Sequence, residues 1–110
     1  MTDRLKIALA QLNPIVGDVD GNVELIRAAR AEAARAGADL VVTGELSVSG
    51  YPPEDLVLKS AFQRRVVEQV NAFAAETADG GPAVILGAPW REEGKLYNAP
   101  LLLAGSKISA

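Results

Sequence analysis

The chain has 110 residues, 49% of them hydrophobic, with 11 basic and 14 acidic side chains and a formal charge of −3. This is a globular composition, and without a basic stripe it argues against a nucleic-acid partner and against a polybasic membrane anchor. With neither cysteine nor histidine, these residues hold no thiol nucleophile, no disulfide, no Ser-His-Asp triad and no thiolate or imidazole zinc site.

The first residues run into alternation and Lys6 rather than a long apolar core, so they do not read as a secretory signal. No apolar run approaches the roughly 20 residues needed to span a bilayer. The expectation is a cytoplasmic protein. Leu5, Ile7 and Leu9 alternate with Lys6, Ala8 and Ala10, which predicts a strand, and "NPIVGDVDGN" supplies the Pro, Gly and Asp of a loop. A helix follows, with Asn22 as its N-cap. Leu25, Ile26, Ala29, Ala33 and Ala36 share one face, and Gly37 ends it. A second strand is predicted over 39–43.

The stretch "TGELSVSGYPPEDL" then places Glu45 two residues past that strand. A carboxylate at the mouth of a core is costly unless something pairs with it or uses it. In open α/β sheets functional groups gather where strands end at their carboxyl edges. A glutamate with an ordinary pKa of roughly 4.3 is a poor base for a thiol or water, and desolvation is what raises one toward the working range. Position alone leaves two readings open, a working carboxylate and a structural loop acid.

Pro52 and Pro53 lead into a short helix, Pro53 near its first position, with Glu54 and Asp55 favouring the positive terminus. Adjacent acids on a helix diverge by about 100°, which argues against paired-carboxylate catalysis there. Ser60 and Gln63 have capping-box spacing, and Phe62, Val66, Val70 and Phe73 form the apolar stripe of a helix ending near Ala78. "AVILGA" suits a strand buried on both faces. Two further strands are predicted, over 96–104 and from Lys107 onward, with Gly105-Ser106 as the turn between them.

The order is β-α-β-α-β-β, an α/β layered fold whose first three strands are neighbours. An α/β chain this short buries a modest core, and Lys107-Ile108-Ser109-Ala110 carries no stop signal. The expectation is the amino-terminal part of a larger domain. Such a part would leave Leu101 to Leu103 and Ile108 exposed and would favour self-association.

Other candidates are weaker. Asp18, Asp20 and Asn22 look like the start of a calcium loop but lack one acidic step and the distal Glu, so loop and cap roles are the better reading and no metal is expected. Ser47-Val48-Ser49-Gly50-Tyr51 has neither the glycines nor the histidine of a nucleophile elbow. No GxGxxG or Walker A sequence offers a phosphate cradle. Trp90 and Tyr97 read as packing residues.

Taken together, "KIALAQLNPIVGDVDGN", "AGADLVVTGELSVSGYPPEDL", "VILGAPW" and "LYNAPLLLAGSKIS" resemble the opening of the nitrilase, or carbon-nitrogen hydrolase, fold. The pair "AQLNPIVGD" and "SGYPPEDL" is similar, more narrowly, to the amino-terminal glutaminase domains of glutamine-dependent NAD synthetases. The resemblance covers essentially the whole chain. It implies an α-β-β-α sandwich, of which residues 1–110 would be the amino-terminal part. It also implies a Glu-Lys-Cys triad that hydrolyses an amide, with Glu45 as general base and Tyr51 in the glutamine pocket. Triad Lys and Cys would lie after Ala110, since Lys107 falls within the hairpin, too early for the role, which is not assigned to Lys95 either.

The same resemblance implies a following synthetase domain that takes ATP and Mg and amidates deamido-NAD with the ammonia released. Glutamine, deamido-NAD and ATP are the implied partners, a homo-oligomer the implied state, and no cofactor is expected within this chain. Two alternatives stand beside this reading. One is a nitrilase-branch amidase with another amide substrate; the other is a non-catalytic scaffold that kept the fold.

Overall fold

A computed structural model describes residues 4–109, apart from the side chain of Glu54. The elements are β1 (Ile7–Leu9), α1 (Val19–Arg35), β2 (Leu40–Val42), a 3-10 turn (Glu54–Leu58), α2 (Ser60–Glu76), a second 3-10 turn (Thr77–Asp79), β3 (Ala83–Glu92), β4 (Lys95–Ala104) and β5 (Lys107–Ser109). The strands lie side by side in the order β1-β2-β3-β4-β5. The first three are parallel and joined through the helices, and the last two add antiparallel as hairpins. Both helices pack on one face of the sheet, as crossovers of one hand between successive parallel strands would place them.

That face is the core. Alternation along each strand points Val41 of β2, Val84 and Leu86 of β3, and Leu101 and Leu103 of β4 at the helices. Against them α1 sets Val23 and Ile26, and α2 sets Val66, Val70 and Phe73, all nearly or wholly excluded from solvent. Each large side chain so buried contributes about 1.5–3 kcal/mol. Phe62 packs at the edge of this cluster, so the predicted stripe of α2 is the one that is buried.

Arg30 of α1 is also buried, 7% exposed. Its Nε donates to the Pro82 carbonyl at 2.8 Å, and its two terminal nitrogens donate to Asp79 at 3.0 and 2.7 Å, which ties α1 to the start of β3. That fork, followed by the Gly81 amide, holds the Asp79 carboxyl at about 2. Nearer solvent, Arg27 pairs with Glu76 and lies 5.3 Å from the Phe73 ring centre, while Arg65 pairs with Asp20.

Among the described residues no helix lies over the opposite face of the sheet. Leu9 is 77% exposed, Ile7 48% and Leu102 38%, with Leu40, Val42 and Ile85 half-buried between them. This corrects the exposure expected for the last hairpin. Leu101 and Leu103 face the helices and are fully buried, Ile108 packs against them, and of the group Leu102 alone is exposed. Period-two alternation decides it, since Leu102 points to the opposite face from Leu101 and Leu103, and the helices cover only the latter.

Three local expectations change. Helix α1 starts earlier than Asn22: Asp18 is the N-cap, its carboxylate accepting from Gly21 N at 3.0 Å. Lys59 precedes α2 without a side-chain cap, so Ser60 and Gln63 form no capping box. Gln63 instead donates to the Val57 carbonyl at 2.6 Å and accepts from Arg91 at 2.8 Å. Finally, β3 runs on past Ala88 to Glu92 through Pro89. Beyond Ile85 it has no β2 residue beside it, and a strand with one edge free tolerates proline. Among the described residues no helix is long and apolar enough to cross a membrane.

Candidate functional site

Glu45 opens the turn that follows β2. Its neighbours Leu46 and Val48 are buried, 6% and 0% exposed, and plug the turn into the protein, while the Glu45 side chain stays exposed. Leu46 has φ 50°, a left-handed conformation that a leucine adopts only when its surroundings impose it. Strand β3 imposes it. Thr43 N donates to the Ile85 carbonyl and Val48 N to the Gly87 carbonyl, both at 3.0 Å, so the free edge of β3 is the seat of the turn.

Gly87 makes that seat possible. A Cβ there would overlap the Leu46 nitrogen and stand 3.0 Å from the Gly44 carbonyl oxygen and 3.1 Å from the Glu45 carbonyl carbon. Below the turn, the Thr43 and Ser47 hydroxyls meet at 2.7 Å, and Ser47 Oγ accepts from Gly87 N at 3.4 Å. Ser47 is 3% exposed and thus a brace of the turn, in keeping with the rejected elbow. Ser49, fully buried, donates to the backbone of Leu46 or Gly50.

The far side of the turn is held by the loop before α1. Asn22, 1% exposed, accepts from Ile15 N at 2.7 Å and donates to the carbonyls of Ile15 at 2.8 Å and Val48 at 3.0 Å. Gly17 N donates to the Ser49 carbonyl at 2.9 Å, and Gly50, at φ +79°, lies so near this loop that a Cβ would stand 2.6 Å from Val16 Cα. The three residues with calcium-loop spacing therefore each have another task. Asp18 caps α1, Asp20 pairs with Arg65, which holds its carboxyl below the ordinary range, and Asn22 joins two loops.

Two clefts open beside Glu45. One, about 450 Å³, is lined by the 10–14 loop, Glu45, Ser47 and Tyr51, so both residues proposed for the site border one space. Tyr51 is 64% exposed. The other, about 400 Å³, runs over the uncovered sheet face and is lined by Val42, Glu45, Ile85, Gly87, Asn98 and Pro100. Both fall in the size range of small-molecule sites. Lys95 and Lys107 line neither cleft.

Asn98 escaped the sequence reading. It donates from Nδ2 to Glu45 Oε1 at 2.6 Å. A polar amide inside an otherwise apolar strand was the available signal. Gly87 escaped too, although a glycine within a strand pattern marks close approach of another backbone. A larger groove of about 490 Å³ between α2 and β3 is lined by Ser60, Gln63, Arg64, Val67, Glu68 and Arg91. Among its polar groups, Arg91 bonds Gln63 and the Gly94 carbonyl, and Glu68 accepts from Arg65 outside the groove. Trp90 and Tyr97 face each other across β3 and β4; Trp90 packs against the core as expected, whereas Tyr97 is 48% exposed.

A family model described as carbon-nitrogen hydrolase matches residues 6–108. The chain is 44% identical over 110 residues to the glutamine-dependent NAD(+) synthetase of Rhodobacter capsulatus, covering 100% of this chain and 20% of that protein. It is 39% identical over 105 residues to the same enzyme of Thermotoga maritima, covering 96% of this chain and 18% of that one. Among solved structures, the glutamine-dependent NAD+ synthetase of Acinetobacter baumannii superposes with a TM-score of 0.88 at 28% identity, over 96% of this chain and 20% of that one. An amidase from Nesterenkonia shares the fold, with a TM-score of 0.78 at 24% identity over 96% of this chain and 41% of that one. The chain thus spans about 20% of the length of the curated relatives it matches. A family match that runs over residues 6–108, from β1 into β5, makes this chain a member of the carbon-nitrogen hydrolase family.

Proposed function

We propose that this chain serves as the amino-terminal part of the glutaminase domain of a glutamine-dependent NAD synthetase, with Glu45 as general base and Tyr51 lining the glutamine pocket. The supporting observation is the presentation of Glu45. Its carboxylate leaves a turn fixed on β3 and borders the same cleft as Tyr51, in a chain 44% identical to a synthetase of that kind.

The chemistry needs a thiol that these 110 residues do not contain. In the proposed mechanism Glu45 takes the proton of a cysteine supplied from beyond Ala110, and the thiolate attacks the glutamine side-chain amide carbon. A lysine from the same region stabilises the oxyanion of the tetrahedral adduct. The adduct collapses as Glu45 returns the proton to the leaving nitrogen, which releases ammonia and leaves a thioester that water cleaves to glutamate. ATP and Mg belong to a synthetase domain that uses the ammonia to amidate deamido-NAD, in a cytoplasmic homo-oligomer.

The coding sequence that follows Ala110 tests this reading. A lysine and a cysteine at nitrilase spacing, then an ATP-dependent synthetase domain, are expected. A frame that closes after one nitrilase-length domain would instead indicate an amidase. A frame without the cysteine would indicate a scaffold that kept the fold alone.

A further inference from the structure

The bond between Asn98 and Glu45 joins groups 53 residues apart, and it is the contact that reaches the carboxylate itself rather than the turn beneath it. Asn98 sits in β4 opposite Pro89. By alternation it projects to the same face as Pro100 and Leu102, the face without helices. It therefore meets Glu45 from the neighbouring strand while β3 holds the Glu45 backbone.

An amide N–H aimed at a carboxylate makes a charge-assisted bond, shorter and stronger than a neutral one. Here it engages Oε1 and leaves the lone pairs of Oε2 to act on a proton. Asparagine suits the place better than its isosteres. Aspartate would set a second acceptor against the first, and leucine would offer no donor. A base fixed only through its backbone would still turn about its own side-chain torsions, and misplacement of a reacting group by about 1 Å can cost 10²-fold in rate.

We propose that Asn98 is a positioning residue that holds the Glu45 carboxylate in its proton-accepting orientation, an inference that rests on the reading of Glu45 as general base. A carboxylate bond of this kind, once removed, is expected to lower the glutamine-dependent kcat by about 10- to 100-fold. The glutamine KM should change little, because Asn98 acts through Glu45 and not on the substrate.

The test is a double-mutant cycle in the full-length synthetase that carries this segment, with Asn98→Leu, Glu45→Gln and both together. Glutamine-dependent and ammonia-dependent rates are measured in parallel, and the ammonia-dependent rate reports folding. Asn98→Leu should lose the stated factor in the glutamine reaction, keep the ammonia reaction, and lose nothing further when Glu45 is already glutamine. Asn98→Asp, the near-isosteric change, carries the same expectation if the leucine variant does not fold. An equal loss from Asn98→Leu in both Glu45 backgrounds, or no loss in the wild-type background, would overturn the proposal. A Glu45→Gln enzyme with full glutamine-dependent activity would instead remove the base reading beneath it.

Discussion

Replacing Gly87 by alanine adds one carbon at the point where β3 meets the Glu45 turn. On strand propensity alone the change should help, since glycine inside an element costs roughly 0.5–1 kcal/mol relative to alanine. Packing opposes it. The new Cβ overlaps the Leu46 nitrogen and comes to 3.0 Å from the Gly44 carbonyl, and both are backbone atoms that cannot turn aside as a side-chain tip would. They can retreat only by stretching the two 3.0 Å bonds that seat Thr43 and Val48 on β3, in a turn where Leu46 already stands at φ 50°. Overpacking of this kind costs about 1–3 kcal/mol, so the net expectation is a loss of about 1–2 kcal/mol. Trp90, the single tryptophan and a residue of β3, reports unfolding in urea by its fluorescence. Gly44→Ala is the matched control, because a Cβ there meets nothing within 4 Å. Gly87→Ala should lower the urea midpoint while Gly44→Ala leaves it within error. Equal midpoints for the wild type and Gly87→Ala would refute the argument that this glycine is the seat of the turn.

Three further outcomes follow from the same structure. The Asp79 carboxyl is held at about 2 in the fold against 3.8 ordinarily, so its pairing with Arg30 stabilises above about pH 4 and fades as pH falls toward 2. The difference in urea midpoint between wild type and Asp79→Asn should therefore be constant from pH 5 to 7, within that window, and shrink below about pH 4; a difference that persists unchanged to pH 2 would contradict it. The sheet face bearing Ile7, Leu9 and Leu102 should make the 110-residue chain self-associate, and Leu9→Lys with Leu102→Lys should return it to monomer. Concentration-independent sedimentation of the wild type as a monomer would count against that face. The chain by itself should release no ammonia from glutamine above a buffer blank, because it has no cysteine. Release that Glu45→Gln abolishes would show a route without a thiol.

The local period was enough to find the elements. Alternation around Ile7, the stripe of Val66, Val70 and Phe73, and the apolar 83–88 run placed three neighbouring strands and their helices, since each signal lies within a few residues. Capping was less legible. Asp18 and Asn22 both have the chemistry of an N-cap, and only the approach of the 45–49 turn, which gives Asn22 a second partner in Val48, decides between them. Ser60 and Gln63 matched a local motif, but Gln63 is claimed by Val57 and by Arg91 of another element. At the site, Tyr51 was named by the family resemblance alone, whereas Glu45 stood out because it falls beside a strand end. Asn98 and Gly87 did not, because what matters about them is a contact made 40 or more residues away.

The proposed role of Glu45, taking a proton for amide cleavage, is tested by a single pair of rates in the full-length enzyme. Glu45→Gln keeps the size of the side chain and its ability to accept from Asn98, and removes only the base. The glutamine-dependent rate should fall by about 10²–10⁴-fold while the rate with free ammonia stays at the wild-type value. If both rates fell by the same factor, Glu45 would be holding the fold rather than moving a proton.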